Sequence, residues 1–118
     1  MAVRHVRDVP AEPVGAGEGA SRHVLIDGDE GPNFAMRKFV IRAGGHMPLH
    51  TNTVEHEQYV LAGRADVRIG DEVHRVEPGS VVLIPAGTPH DYRVVGANDF
   101  EFLCLVPNAE DRIEMLGG

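Results

Sequence analysis

The sequence predicts an all-β protein folded as one small barrel or sandwich, and three observations carry that prediction. At 118 residues the chain is long enough to close one core and too short for a second. About eight short runs rich in β-branched and aromatic residues follow one another, broken by turn residues such as glycine and proline. Helical propensity is confined to the tail, residues 110–116, which is too short to shape the architecture.

Taken in order, residues 8–20 hold Pro10, Pro13, Gly15, Gly17 and Gly19 without a periodic apolar pattern. Residues 1–20 therefore read as a flexible N-terminal arm, and residues 21–118 as the barrel domain. The expected strands cover 23–26, 34–41, 57–61, 65–69, 73–76, 80–84, 92–95 and 100–106. Gly70-Asp71 closes a tight hairpin between Val67-Arg68-Ile69 and Val73-His74-Arg75-Val76. Gly31-Pro32, Gly44-Gly45, Pro78-Gly79 and Pro85-Ala86-Gly87 mark the other corners. There is no repeat at solenoid periods and no low-complexity segment.

A formal charge of -7 leaves no basic patch to neutralise phosphates, so no nucleic-acid partner is expected and a small organic ligand or substrate fits better. No apolar run approaches the ~20 residues of a membrane span. The opening Met1-Ala2-Val3-Arg4-His5-Val6-Arg7-Asp8 has no apolar signal core, so a soluble, cytoplasmic protein without a membrane partner is expected. Cys104, the one cysteine, excludes an internal disulfide.

Seven histidines are many for this length, and their spacing decides their meaning. His50 and Asn52, two apart, share one face of an extended strand. A short loop lets His56 return to that face, with Gln58 and Val60 following it inward. His90 opens a later strand whose same-face neighbours are Tyr92 and Val94. Three imidazoles converging from separate strands suit one divalent transition metal: iron, manganese, zinc, nickel or copper. His56 competes with Glu57, whose carboxylate would instead complete a two-histidine-one-carboxylate set. Asn52 reads either as a weak ligand or as the hydrogen-bond partner of a metal-bound water. His46, beside a Gly-Gly corner, and His74, in the charged hairpin, read as solvated. In residues 100–106 Glu101 faces out and Phe102, Cys104 and Val106 face in, so Gln58, Tyr92, Phe102 and Cys104 line the pocket.

These residues resemble the paired motifs of the cupin family. Gly44, five residues, His50, one residue, Asn52, three residues, His56, six residues and Gly63 is similar to the first motif, whose ligands are usually His, His and Glu. Gly79, five residues, Pro85, one residue, Gly87, two residues and His90 is similar to the second, which supplies one more His. The resemblance implies a jelly-roll barrel, a single metal near its axis held by His50, His56, His90 and the position of Asn52, and frequent homodimers. Asn52 stands where the second histidine is usual, and His56 where glutamate is. The nearest likeness is to a subgroup of small bacterial cupins with a four-histidine site and a similar Phe-Leu-Cys-Leu run.

Two function classes follow. A metal with neutral ligands and open positions serves an enzyme, first an oxygenase, with a metal-assisted isomerase of a sugar-like carbonyl compound as the alternative. The other class is a non-catalytic module that holds a metal and a small molecule, which the scarcity of inward carboxylates also fits. The enzyme ranks first. Short strand edges, and an arm able to add a strand to a neighbour's sheet, lead to the expectation of a homodimer.

Overall fold

The structure, a computed structural model, describes residues 2–116. A 3-10 turn, Val6–Asp8, precedes ten strands. These are β1 (Glu12–Pro13), β2 (Glu18–Ile26), β3 (Phe34–Asn52), β4 (His56–Ala62), β5 (Arg64–Ile69), β6 (Glu72–Val76), β7 (Val81–Ile84), β8 (His90–Val95), β9 (Phe100–Pro107) and β10 (Ile113–Met115). They form one curled sheet in the order β6-β5-β8-β3-β9-β4-β7, with β2 and β10 also on β3 and β1 on β2. The all-β barrel expected from the sequence is the fold found.

β3 is the spine. Its first half, Phe34 to Ile41, pairs with β9 on one side and β2 on the other, whereas His46, Met47 and His50 pair with β8. The strand thus passes from one part of the barrel wall to another. Gly44-Gly45, expected to end a strand, bends β3 without breaking it. The Gly70-Asp71 hairpin forms as read, with Ile69 opposite Glu72 and glycine supplying a φ of 61° that a side chain would oppose.

Alternation sends one side of each strand inward. His56, Gln58 and Val60 of β4 are buried, as are His90, Tyr92 and Val94 of β8 and Phe100, Phe102 and Cys104 of β9. Val67, Ile41 and Ile84 complete the floor. Phe39, Phe102 and Tyr92 stack with ring centroids 5.3 and 5.2 Å apart, a rigid aromatic wall. Glu101 points outward and pairs with Lys38 at 2.6 Å.

The two ends depart from the sequence reading. Part of the segment read as an arm is strand: Glu12 pairs with Arg22, β2 begins at Glu18, and Ala20 is buried in the core. The tail expected to have helical propensity is instead extended, with Ile113, Glu114 and Met115 opposite Asn52, Thr51 and His50. Three residues of helix bury nothing there, whereas a strand satisfies the open edge of β3. No helix among the described residues is long and apolar enough to cross a membrane.

Candidate metal centre

β3, β4 and β8 deliver His50, Asn52, His56 and His90 to one cavity, which Gln58, Tyr92, Phe102 and Cys104 also line. All four candidate ligands are buried. The ring centroids of His50 and His90 are 4.2 Å apart and those of His56 and His90 5.8 Å. Two imidazoles sharing one ion at an M–N distance of about 2.1 Å have centroids about 5 Å apart, a value these separations bracket. As they stand, no three His, Cys, Asp or Glu side chains among the described residues are close enough to grip one ion together. An ion held here by three of these side chains would require the rings to adjust.

The hydrogen bonds fix what each ring offers. Nδ1 of His50 lies 2.8 Å from the Pro48 carbonyl and Nδ1 of His90 2.9 Å from that of Thr88. A carbonyl only accepts, so both rings donate from Nδ1 and keep the Nε2 lone pair for a ligand. Nε2 of His90, Nε2 of His56 and Oδ1 of Asn52 are buried without a hydrogen-bond partner. Unsatisfied buried polar atoms are costly; His90 Nε2 and Asn52 Oδ1 are free acceptors, and His56 Nε2 joins them in the tautomer protonated at Nδ1, a set that fits a group that takes lone pairs. Burial, reinforced by the charge of Arg37 and by His90, pushes His56 down to about 4. Burial also pushes His90 down to about 4, against the opposing hydrogen bond to Thr88. Both rings are neutral, and so competent to ligate, well below pH 7.

Asn52 is held by a residue that the sequence reading missed. Its Nδ2 donates to Asp111 at 2.9 Å, which turns Oδ1 toward the cavity. Asp111 also accepts from the Thr53 amide at 3.0 Å, and the Arg112 amide donates to Thr53 Oγ1 at 2.8 Å, so the tail clamps this corner. Nothing in the local sequence announces that pairing across fifty-nine positions. Glu57, the rival ligand, is exposed on the outer face of β4 beside Glu55, whose hydrogen bond raises its pKa. The side chains of His46 and His74 are 40% and 52% exposed, away from the cavity.

Deeper in the cavity, Gln58 Nε2 donates to Tyr92 Oη at 2.6 Å and lies 3.8 Å from Cys104 Sγ. Burial raises the pKa of both the Tyr92 hydroxyl and the Cys104 thiol, so both stay protonated at neutral pH. Two further wall residues are cationic: Arg22 from β2 and Arg37 from β3. Arg37 was legible in principle, because it occupies the inward register of a strand whose next inward positions are Phe39 and Ile41. No Asp or Glu lines the cavity.

The depressed pKa values predict how the metal-free chain responds to acid. Unfolded imidazoles take up protons near 6.5, while folded His56 and His90 resist until about 4. Between those values the unfolded state binds more protons, so stability falls as pH falls from 6.5 toward 4. Urea unfolding at a series of pH values checks this, and His90→Asn should flatten the slope. An unchanged slope in that variant would remove His90 from the explanation.

A barrel of this topology with imidazoles converging inside it defines a class, the cupin-like β-barrels. Residues 37–106 match the Cupin_2 cupin-domain family, and the chain belongs to that family. The fold is similar to the polyketide cyclase RemF of Streptomyces resistomycificus, with a TM-score of 0.91 and 28% identity over 100% of this chain and 87% of that one. A cupin-2 domain protein of Rhodospirillum rubrum is 27% identical with a TM-score of 0.83, over 99% of this chain and 80% of that one. In sequence, the 1-methylthio-D-xylulose 5-phosphate methylsulfurylase of Rhodospirillum rubrum is 30% identical over 95 residues, 80% of this chain. The chain spans 60% of the length of that curated relative.

Proposed function

We propose that the chain is a metal-dependent enzyme acting on a compact organic molecule inside the barrel, with one divalent transition-metal ion held by His50, His56 and His90. The observation that carries this reading is the set of buried, unpartnered polar atoms, His56 Nε2, His90 Nε2 and Asn52 Oδ1, facing a cavity that no carboxylate among the described residues lines. When bound between neutral donors, a divalent ion keeps its full charge and acts as a Lewis acid on a carbonyl oxygen. The chain's own residues supply the rest. Tyr92 holds a proton at Oη, which only accepts within the protein and so is free to donate to a substrate oxygen. Gln58 fixes that hydroxyl, and the Phe39-Phe102-Tyr92 stack excludes water from one wall.

Carbonyl chemistry also accords with two relatives, one a polyketide cyclase and the other named for a xylulose 5-phosphate derivative. The oxygenase reading uses the same donor set with iron, manganese or copper, and the scarcity of acid-base groups in the wall favours it. Anaerobic solvent-deuterium exchange into a panel of carbonyl compounds, beside oxygen uptake with catechols, flavonols and thiols, separates the two. Exchange without oxygen supports carbonyl chemistry, and metal-dependent uptake supports oxygenation. Neither result in a metal-loaded protein would leave a binding module.

Asn52→His tests the ligand geometry. An imidazole binds borderline divalent metals better than an amide oxygen, so affinity should rise at least tenfold, about 1.4 kcal/mol. The gain should be larger at pH 8 than at pH 6, because the new ring must be neutral to ligate. Competitive chelator titration of both proteins checks it, and equal affinities would place residue 52 outside the ligand set.

The proposed assembly is a homodimer. The outer face of β4 and β7 exposes Tyr59, Leu61, Val81 and Leu83, with Val81 77% exposed, and a second copy laid on this face would cover them. Light scattering at micromolar concentration that gives only the 12.8 kDa chain would refute the dimer.

A further inference from the structure

Arg37 is a cation in the wrong surroundings for a structural role. Its side chain lies on the inner face of β3, with the guanidinium carbon 5.0 Å from the centre of the Phe39 ring and Nη2 3.4 Å from the sulfur of Cys104. Among the described residues it has no carboxylate partner, and Nε is buried with no hydrogen-bond partner at all. The thiol is a weak acceptor, so within the protein the guanidinium has one weak partner at Nη2 and none at Nε. Arg22, the other cationic wall residue, also has a buried, unpartnered Nε, and differs in that Glu12 meets its Nη2 at 3.1 Å and balances its charge. Arg37 is half-buried, and partly desolvating a charge against an aromatic ring and a thiol costs stability that an apolar residue at position 37 would not. The protein nevertheless places it in a cavity without any carboxylate, in a chain of net charge -7.

We infer that Arg37 is the anion-recognition residue of this cavity, and that the substrate carries a compact oxyanion, a phosphate or a carboxylate, which a shift of the side chain admits to the Nε edge of its guanidinium, an edge closed to solvent in this structure. Nε–H and the neighbouring Nη–H form a planar fork that meets two oxygens of such a group side-on. Stacking on Phe39 fixes the plane of the fork before the ligand arrives, so little entropy is lost on binding. The cavity volume, about 70 Å³, has room for about two waters at ~30 Å³ each, which limits the anchored part of the ligand to a few heavy atoms. Register sets the reach: Arg37 lies opposite Cys104, and Cys104 opposite Gln58, in one row across the inner wall. A molecule gripped at Arg37 therefore extends along that row toward Gln58, Tyr92 and the imidazoles. The inference names the substrate class of the proposed function and rests on reading this cavity as the substrate site.

The test follows the backbone amide resonances of the full chain and, in the wild type, the Arg Nε–Hε resonances, in nitrogen-edited NMR during titration with inorganic phosphate and, separately, with propionate. Each titration is run on the protein as purified and again after passage over a chelating resin. Saturable movement of the Arg37 signal with at least one anion in both wild-type preparations, with an affinity read from the neighbouring backbone amides that falls at least tenfold in Arg37→Gln, is the expected result. The tighter of the two anions identifies the group. Binding that disappears on the resin would belong to a metal and not to Arg37, and would overturn the inference while leaving the metal reading intact. No saturable movement in the wild type, or equal affinity in Arg37→Gln, overturns it as well. Arg37→Lys covers the case in which Gln unfolds the barrel, since it keeps the charge and loses the fork. Undiminished affinity there would reject side-on recognition.

Discussion

Replacing His90 by alanine is expected to lower metal affinity by more than about a hundredfold, roughly 2.7 kcal/mol, and so to abolish stoichiometric loading at micromolar protein. His90 is the one imidazole contributed by β8, and its ring sits between those of His50 and His56. Its tautomer is set by the Thr88 carbonyl, and its free Nε2 is buried without a partner. Without it, two imidazoles on β3 and β4 and an amide oxygen remain, too few neutral donors for a tight site. The barrel should survive, because its core is built by Ile41, Val60, Val67, Phe100 and Phe102 and the substitution removes an unsatisfied polar atom. Elemental analysis after dialysis, with circular dichroism of the same sample, reads both halves. Full occupancy in a folded variant would end the assignment of His90 as a ligand.

Gly63→Ala should have the largest effect on stability. Gly63 joins β4 to β5 at φ 75°, and a Cβ built there would lie 2.2 Å from the Asp99 carbonyl oxygen and 2.9 Å from Phe100 Cα. The left-handed conformation alone costs an L-residue about 1–2 kcal/mol. Overlap with backbone, which has no rotamer to yield, raises the total to about 3 kcal/mol or more. For a domain of this size that lowers Tm by more than about 12 °C. Gly79→Ala is the control, because Gly79 also has a positive φ, 92°, but nothing lies within 4 Å of its Cβ position. It should lose only the conformational part. Equal losses in the two variants, measured by thermal unfolding without metal, would show that the close approach to Asp99 is not what requires glycine at position 63.

The two effects are independent by design. One removes a ligand and spares the fold, and the other strains the fold without touching a ligand. A protein in which both variants lost metal and stability together would have a metal that is structural, as in domains folded by their ion.

The local pattern alone was enough to reveal the all-β class, the Gly70-Asp71 hairpin, and the inward faces of β4, β8 and β9. Each follows from a period of two or from a turn that glycine makes cheap, and those are properties of neighbouring residues. The same alternation put His50, Asn52, His56, His90, Gln58, Tyr92, Phe102 and Cys104 on faces that the folded chain turns to a single cavity. What tertiary structure decided lies in contacts between distant segments. The tail is extended because β3 offers an open edge, a fact absent from residues 110–116 themselves. Asp111 orients Asn52 only because that edge brings it there. Glu57 faces away from the cavity and His56 into it because the register of β4 against β7 and β9 turns the carboxylate outward. Arg37 broke the apolar alternation in plain view, but its isolation depends on which groups fail to face it, and no single strand contains that information.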